Sequence, residues 1–151
     1  MQLEYRHQYG GLAPDVLWGA LFDPEILRRA IPGCQGLEGQ GDGAYKASLG
    51  LNVGPIRGGF DGQVALSDAE PPRRYRLRLD GGGAPGQVKA DAWISLEPDG
   101  QGTSLLCRAE VSATGTLAAV GQRVMGSVGK MLVGRFFKNI EHELSGQRAT
   151  G

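Results

Sequence analysis

Leu3, Tyr5, His7 and Tyr9 alternate with Gln2, Glu4, Arg6 and Gln8, a period of two that predicts a strand with one apolar face. The period then lengthens. Pro14, followed by Val16, Leu17, Ala20 and Leu21, predicts a short amphipathic helix with proline in its first turn. Asp23 can cap a second helix that opens on Pro24 and Glu25. Arg28 and Arg29 suit its negative end, and Pro32-Gly33 forbids continuation. From Gly36 to Thr114 the alternation returns and predicts six antiparallel strands. Their inner rows read Tyr45, Ala47, Leu49, Leu51, Val53; then Phe60, Val64, Leu66; then Tyr75, Leu77, Leu79. Val88, Ala90, Ala92, Ile94, Leu96 and finally Leu105, Cys107, Ala109, Val111, Ala113 complete them. Breaks fall at Glu70-Pro71-Pro72, Gly81-Gly82-Gly83 and Glu97-Pro98-Asp99-Gly100. One polar face means a sheet wet on one side.

The remainder, Leu117 to Ser145, reads as one helix of about 40 Å, capped by Thr116 and ended by Gly146. The order is strand, two short helices, six strands, long helix. It predicts an α+β fold in which a curved antiparallel sheet of about seven strands wraps the C-terminal helix. One domain over 1–146, with a short tail at 147–151, accounts for the chain.

Large inner side chains are interspersed with small ones: Ala47, Gly58, Gly62, Ala90, Ala92, Ala109 and Ala113 contribute almost no volume. Native interiors pack to a density of about 0.74, so small inner residues need either close backbones or a void. A sheet gripping a helix about 10 Å across leaves room for a void. The expected cavity lining is Tyr45, Leu49, Phe60, Val64, Leu77, Ala92 and Ala109 from the sheet. Gly121, Met125, Val128 and Leu132 come from a helix stripe that also holds Leu117, Val120, Val124 and Met131. Beyond Gly134 the apolar face turns to Val133, Phe136, Phe137, Ile140 and Leu144. Four glycines (Gly121, Gly126, Gly129, Gly134) inside one helix cost about 2–4 kcal/mol together. They suit a moving lid or a close ligand, and equally close packing against a neighbour.

Sixteen basic and sixteen acidic residues cancel, so no overall field draws the chain to nucleic acid. No apolar run approaches the roughly 18 residues of a membrane span, and the start lacks the apolar block of a signal peptide. The expected location is therefore cytoplasmic. Cys34 and Cys107 have no metal-ligand spacing and read as free thiols.

Catalytic signatures are missing: there is no phosphate loop, no His-Glu-x-x-His and no Cys-x-x-Cys. No catalytic residue, metal ligand or cofactor is assigned. His7 faces inward between Tyr5 and Tyr9, as a hydrogen-bonded core histidine or, alternatively, as a general base. Arg74, Arg76 and Arg78 line one outer strand face beside Arg73, a candidate docking patch for an acidic protein surface or lipid phosphates, or else a solvated sheet face.

Two segments carry a resemblance: Asp23-Pro24-Glu25-Ile26-Leu27-Arg28-Arg29-Ala30-Ile31-Pro32-Gly33-Cys34, and Val53-Gly54-Pro55-Ile56-Arg57-Gly58-Gly59-Phe60-Asp61-Gly62. Leu66-Ser67-Asp68, Pro71-Pro72 with Tyr75, Gly121-Gln122-Arg123 and Phe136-Phe137 follow in order. Together they resemble the CoxG family of carbon monoxide dehydrogenase, from Leu3 to Leu144. That family lies within the helix-grip superfamily of START domains, polyketide cyclases and birch-pollen-type allergens. The resemblance implies a cavity whose content is the function. It also implies an accessory protein of a molybdenum-containing hydroxylase, placed at the inner membrane face where electrons pass to quinone. The chain ends soon after Leu144, so peripheral membrane contact is expected without an intrinsic anchor.

The leading expectation is a non-enzymatic carrier of a hydrophobic small molecule, quinone-like or lipid-like. A ligand-free docking module using the arginine strand, and a small cyclase or hydratase with His7 as base, are the alternatives.

Overall fold

Asp23 Oδ1 accepts the backbone N–H groups of Glu25 at 2.9 Å and Ile26 at 3.4 Å, which satisfies two donors that a helix start leaves without partners. That cap begins α2 (Pro24–Ala30), just after α1 (Pro14–Leu21). Together they follow β1 (Gln2–Tyr9) and precede β2 (Cys34–Gly41), β3 (Ala44–Val53), β4 (Ile56–Glu70), β5 (Arg74–Gly83), β6 (Gly86–Asp99) and β7 (Gly102–Ala113). Two helices, α3 (Gly115–Ala119) and α4 (Gln122–Thr150), complete the chain. This computed structural model describes residues 1–54 and 56–145 in full and 146–150 by backbone.

All strands are antiparallel in one seven-stranded sheet of order β1-β7-β6-β5-β4-β3-β2. Short connections allow each strand from β3 to β7 to pair with its predecessor; β1 pairs with β7, opposite the β2 edge. The sheet therefore has two edges, and α4 meets them unequally. Its backbone approaches β1, α2 and α1 and stands off the middle of the sheet.

The helix glycines explain the approach to β1. A Cβ at Gly129 would stand 2.8 Å from Leu3 Cδ1, and one at Gly134 would stand 3.4 Å from the Tyr5 ring. Gly129 therefore serves close packing against Leu3, while at Gly134 a Cβ would meet the Tyr5 ring at ordinary contact distance.

The single long helix expected from Leu117 is instead two. Gly121 adopts φ +92°, a left-handed conformation that only glycine takes without strain, and the break separates α3 from α4. Thr116 does not cap a helix; its hydroxyl donates to the Pro85 carbonyl at 2.7 Å. At the other end α4 continues through Gly146 to Thr150, past its expected stop and into the expected tail. A glycine costs a helix only about 1 kcal/mol, and the following residues tolerate helix well. Gly151 and Pro55 lie outside the described residues. Val124 and Met131, expected inside, flank the stripe that Met125, Val128 and Leu132 of the same helix present to the hollow and are exposed, as is Val16 on α1.

Candidate ligand cavity

Three of the inner rows that cross the sheet show how the hollow arises. Leu66, Leu77, Ala92, Ala109 and Leu3 pair in sequence across β4, β5, β6, β7 and β1. Tyr45, Val64, Leu79, Ala90 and Val111 form the next, and Leu37, Ala47, Gly62, Gly81, Val88 and Ala113 the third. Each row carries small residues at interior positions: Ala92 and Ala109, Ala90, and Ala47, Gly62 and Gly81. Where Ala92 meets Ala109, and Gly62 meets Gly81, side chains cannot reach a helix that stands off the sheet.

The result is a hollow of about 360 Å³ between the sheet and α4, open to solvent over part of its boundary. It lies within the size range of small-molecule sites. The buried core is correspondingly divided into two clusters. One gathers Tyr9, Leu17, Leu21, Ile94, Phe137 and Ile140 around α1 and α2; the other holds Val53, Ile56, Leu117 and Val128. Members of both line the hollow.

Of the expected lining, Tyr45, Leu49, Phe60, Val64, Leu77, Ala92, Ala109, Met125, Val128 and Leu132 stand on its wall. Gly121 does not: it sits at the exposed helix break. Gly58, with φ +123°, and Ala113 are also off the wall. Tyr75, Cys107, Ile31, Pro32, Phe136 and Phe137 are wall residues outside the expected lining. Alternation already puts Tyr75 and Cys107 on inner rows, which is signal enough to name them.

The wall is almost wholly apolar. Asp61 is the one charged residue bordering it among the described residues, and its carboxylate instead accepts the Ser48 hydroxyl at 2.8 Å in an exposed pair. Cys107 is buried on the wall and has no disulfide partner. Burial pushes its thiol up to about 11, because a thiolate is poorly solvated there. At pH 8 it is therefore neutral, and the thiolate fraction grows only as pH approaches that value. Iodoacetamide at pH 8 is expected to modify the half-buried Cys34 first and Cys107 only after unfolding, as mass mapping of the adducts will report. Rapid native labelling of Cys107 would contradict its enclosure.

His7 lies beside the hollow, not on its wall. Its Nε2 is 3.2 Å from Glu141 Oε1 and its Nδ1 is 3.1 Å from the Tyr5 hydroxyl. A carboxylate can only accept, so Nε2–H donates to Glu141 and Nδ1 accepts from Tyr5. Both ring nitrogens are occupied in tying β1 to α4, which leaves neither for a guest. Sequence reasoning misses Glu141 because its position on the helix gives no hint of the strand facing it.

The outer arginines are mostly neutralised. Arg73 and Arg74 pair with Glu70, and Arg76 pairs with Asp91 through two hydrogen bonds. The Arg76 guanidinium, hydrogen-bonded to Asp91, holds that carboxyl below its usual range. Arg74 and Arg76 also lie 4.8 and 5.6 Å from the Trp93 ring centroid. Arg78 has no ion pair among the described residues.

No group of three or more His, Cys, Asp or Glu side chains among the described residues could hold a metal ion. No helix there is long and apolar enough to cross a membrane.

The family model for the carbon monoxide dehydrogenase component CoxG matches residues 11–145. A crystal structure of a conserved protein from Geobacillus kaustophilus is 34% identical, with a TM-score of 0.83, over 95% of this chain and 92% of that one. A protein from Thermus thermophilus is 12% identical with a TM-score of 0.72, covering 97% of this chain and 99% of its own. Ara h 8.0201 is 18% identical with a TM-score of 0.70, covering 97% and 98%. The last two are similar in fold alone. A search of proteins with curated functions finds no match. With the Asp23 cap, the Pro32-Gly33 stop and the hollow sheet all inside the matched span, the chain belongs to the CoxG family of carbon monoxide dehydrogenase and has the helix-grip fold.

Proposed function

We propose that this protein carries an apolar molecule, a quinone or a lipid, between its sheet and α4. In doing so it serves as a non-enzymatic accessory of a molybdenum-containing hydroxylase of the carbon monoxide dehydrogenase kind. Its work is coupling that enzyme to an electron acceptor at the cytoplasmic face of the membrane, through peripheral contact. Membership of the family supports an accessory role with a carbon monoxide dehydrogenase complex, and the helix-grip fold supports ligand binding. The observation that carries the reading is an apolar hollow of about 360 Å³ whose one bordering acid, Asp61, is engaged by the Ser48 hydroxyl in an exposed pair. A guest there gains the hydrophobic term and meets no group able to transform it.

The chain holds its own reporter. Trp18 packs edge-on against Tyr75 with ring centroids 5.5 Å apart, and Tyr75 lines the hollow; Trp93 lies under the arginines of the outer face. Titration with a prenylated naphthoquinone is expected to quench fluorescence saturably. Trp18→Phe removes the response and Trp93→Phe keeps it. A linear, non-saturating decrease, or a response that follows Trp93, contradicts occupancy of this cavity.

A further inference from the structure

We propose that the Tyr75 hydroxyl is the hydrogen-bond donor that orients the guest, and that the guest bears a carbonyl oxygen on an otherwise apolar body. This rests on the cavity-binding reading above and adds to it the chemistry of one end of the ligand.

Tyr75 is the second residue of β5, opposite Ile94, and its ring is fixed by edge contacts to Phe22 and Trp18, with centroids 4.8 and 5.5 Å away. The residue is 1% exposed and lines the hollow. The other deeply buried hydroxyls have protein partners: Tyr9 donates to the Phe137 carbonyl at 2.8 Å and Thr103 to the Leu12 carbonyl at 2.7 Å. Tyr75 has none among the described residues. Yet no fully enclosed side-chain oxygen or nitrogen there lacks a partner. The two facts agree only if the phenol oxygen keeps a little accessible surface. Because Tyr75 is a wall residue, we take that surface to open into the cavity.

A buried tyrosine hydroxyl ordinarily finds a partner, and here the protein supplies none. Burial, with the neighbouring Cys107 as a lesser cause, pushes the phenol far above the usual tyrosine range. It remains a neutral O–H donor. Its complement is an acceptor. A carboxylate is disfavoured, since no cationic side chain borders the hollow to compensate a buried charge and the Met1 ammonium is held by the Val111 carbonyl and Glu110. An alcohol would bring a further O–H that needs an acceptor. A carbonyl of a quinone, ketone or ester needs only the one bond that Tyr75 offers.

Three probes test this on the full chain: a short-chain prenylated naphthoquinone, a medium-chain fatty acid methyl ester, and an n-alkane of matching length. Tyr75→Phe removes one oxygen and keeps the ring. It is expected to weaken binding of a carbonyl probe by about three- to tenfold, the worth of one hydrogen bond, and to leave the alkane unchanged. Unchanged alkane binding also reports an intact fold. The infrared carbonyl stretch of the bound probe should lie at lower frequency with the unaltered protein than with the variant. Loss for either carbonyl probe alone supports the proposal, and the tighter of the two assigns the source as quinone or acyl ester. Equal binding of every probe to both proteins, with an unshifted carbonyl band, overturns the anchor while leaving the cavity reading intact. No binding of any probe to the unaltered protein overturns both.

Discussion

Ala92→Phe is expected to abolish guest binding while the protein stays folded. Ala92 stands between Leu77 and Ala109 in the middle of an inner row, 5% exposed and on the cavity wall. A phenyl ring there occupies the room a guest would use. Displacing a guest from about 150 Å² of apolar contact forfeits about 4 kcal/mol at 25 cal/mol per Å². That is on the order of a thousandfold in affinity. In a solid core the same ring would overpack and cost about 1–3 kcal/mol of stability. In a hollow it should cost less, since the volume is already there. Isothermal titration with a prenylated naphthoquinone, beside thermal unfolding of the variant, reads both quantities. Unchanged affinity would mean the guest sits elsewhere; a variant that unfolds would mean the interior had no room.

Gly33→Ala is expected to lower stability by about 3 kcal/mol, the left-handed penalty together with a steric clash. Gly33 has φ +71°, and a Cβ there would stand 2.2 Å from the Gly50 carbonyl oxygen. That contact is backbone against backbone, so no rotamer relieves it. The same glycine accepts the Gly50 N–H at 2.8 Å, joining the α2 exit to β3. Gly36→Ala supplies the contrast, because open space surrounds a Cβ at that position. It should be neutral to mildly stabilising, by about 0.5–1 kcal/mol. Urea midpoints at constant slope separate the two outcomes. Equal midpoints would show that the Pro32-Gly33 turn is not held as described.

Much of this architecture is readable from local rules. Period-two alternation locates the inner rows because each strand has one wet face, so a slip of one residue would bury charges such as Arg74 and Arg76. Asp23-Pro24 locates α2 because capping and proline geometry act over a few residues. The alternation of Ala92 and Ala109 with Leu77 suggests the hollow, since missing volume is a sum of side-chain sizes.

What escapes such rules depends on partners distant in sequence. Gly121, Gly126, Gly129 and Gly134 look alike on a helical wheel. Only Gly121 turns to positive φ, while Gly129 yields space to Leu3. Met131 is exposed because it lies at the margin of the stripe that Met125, Val128 and Leu132 turn to the hollow, and a wheel does not show where the sheet stops covering that stripe. Neither the His7–Glu141 contact, spanning 134 positions, nor the solitary hydroxyl of Tyr75 has a local signature. The arginine row is visible in the sequence, but not its neutralisation, because Asp91 comes opposite only once β5 and β6 are in register.

Native mass spectrometry of the gently purified protein, before and after incubation with a prenylated naphthoquinone or a fatty acid methyl ester, tests occupancy of the hollow most directly. A single apolar molecule per chain, retained from the cell or taken up on incubation and lost in Ala92→Phe, is the expected result. The bare polypeptide mass under every condition would contradict a carrier.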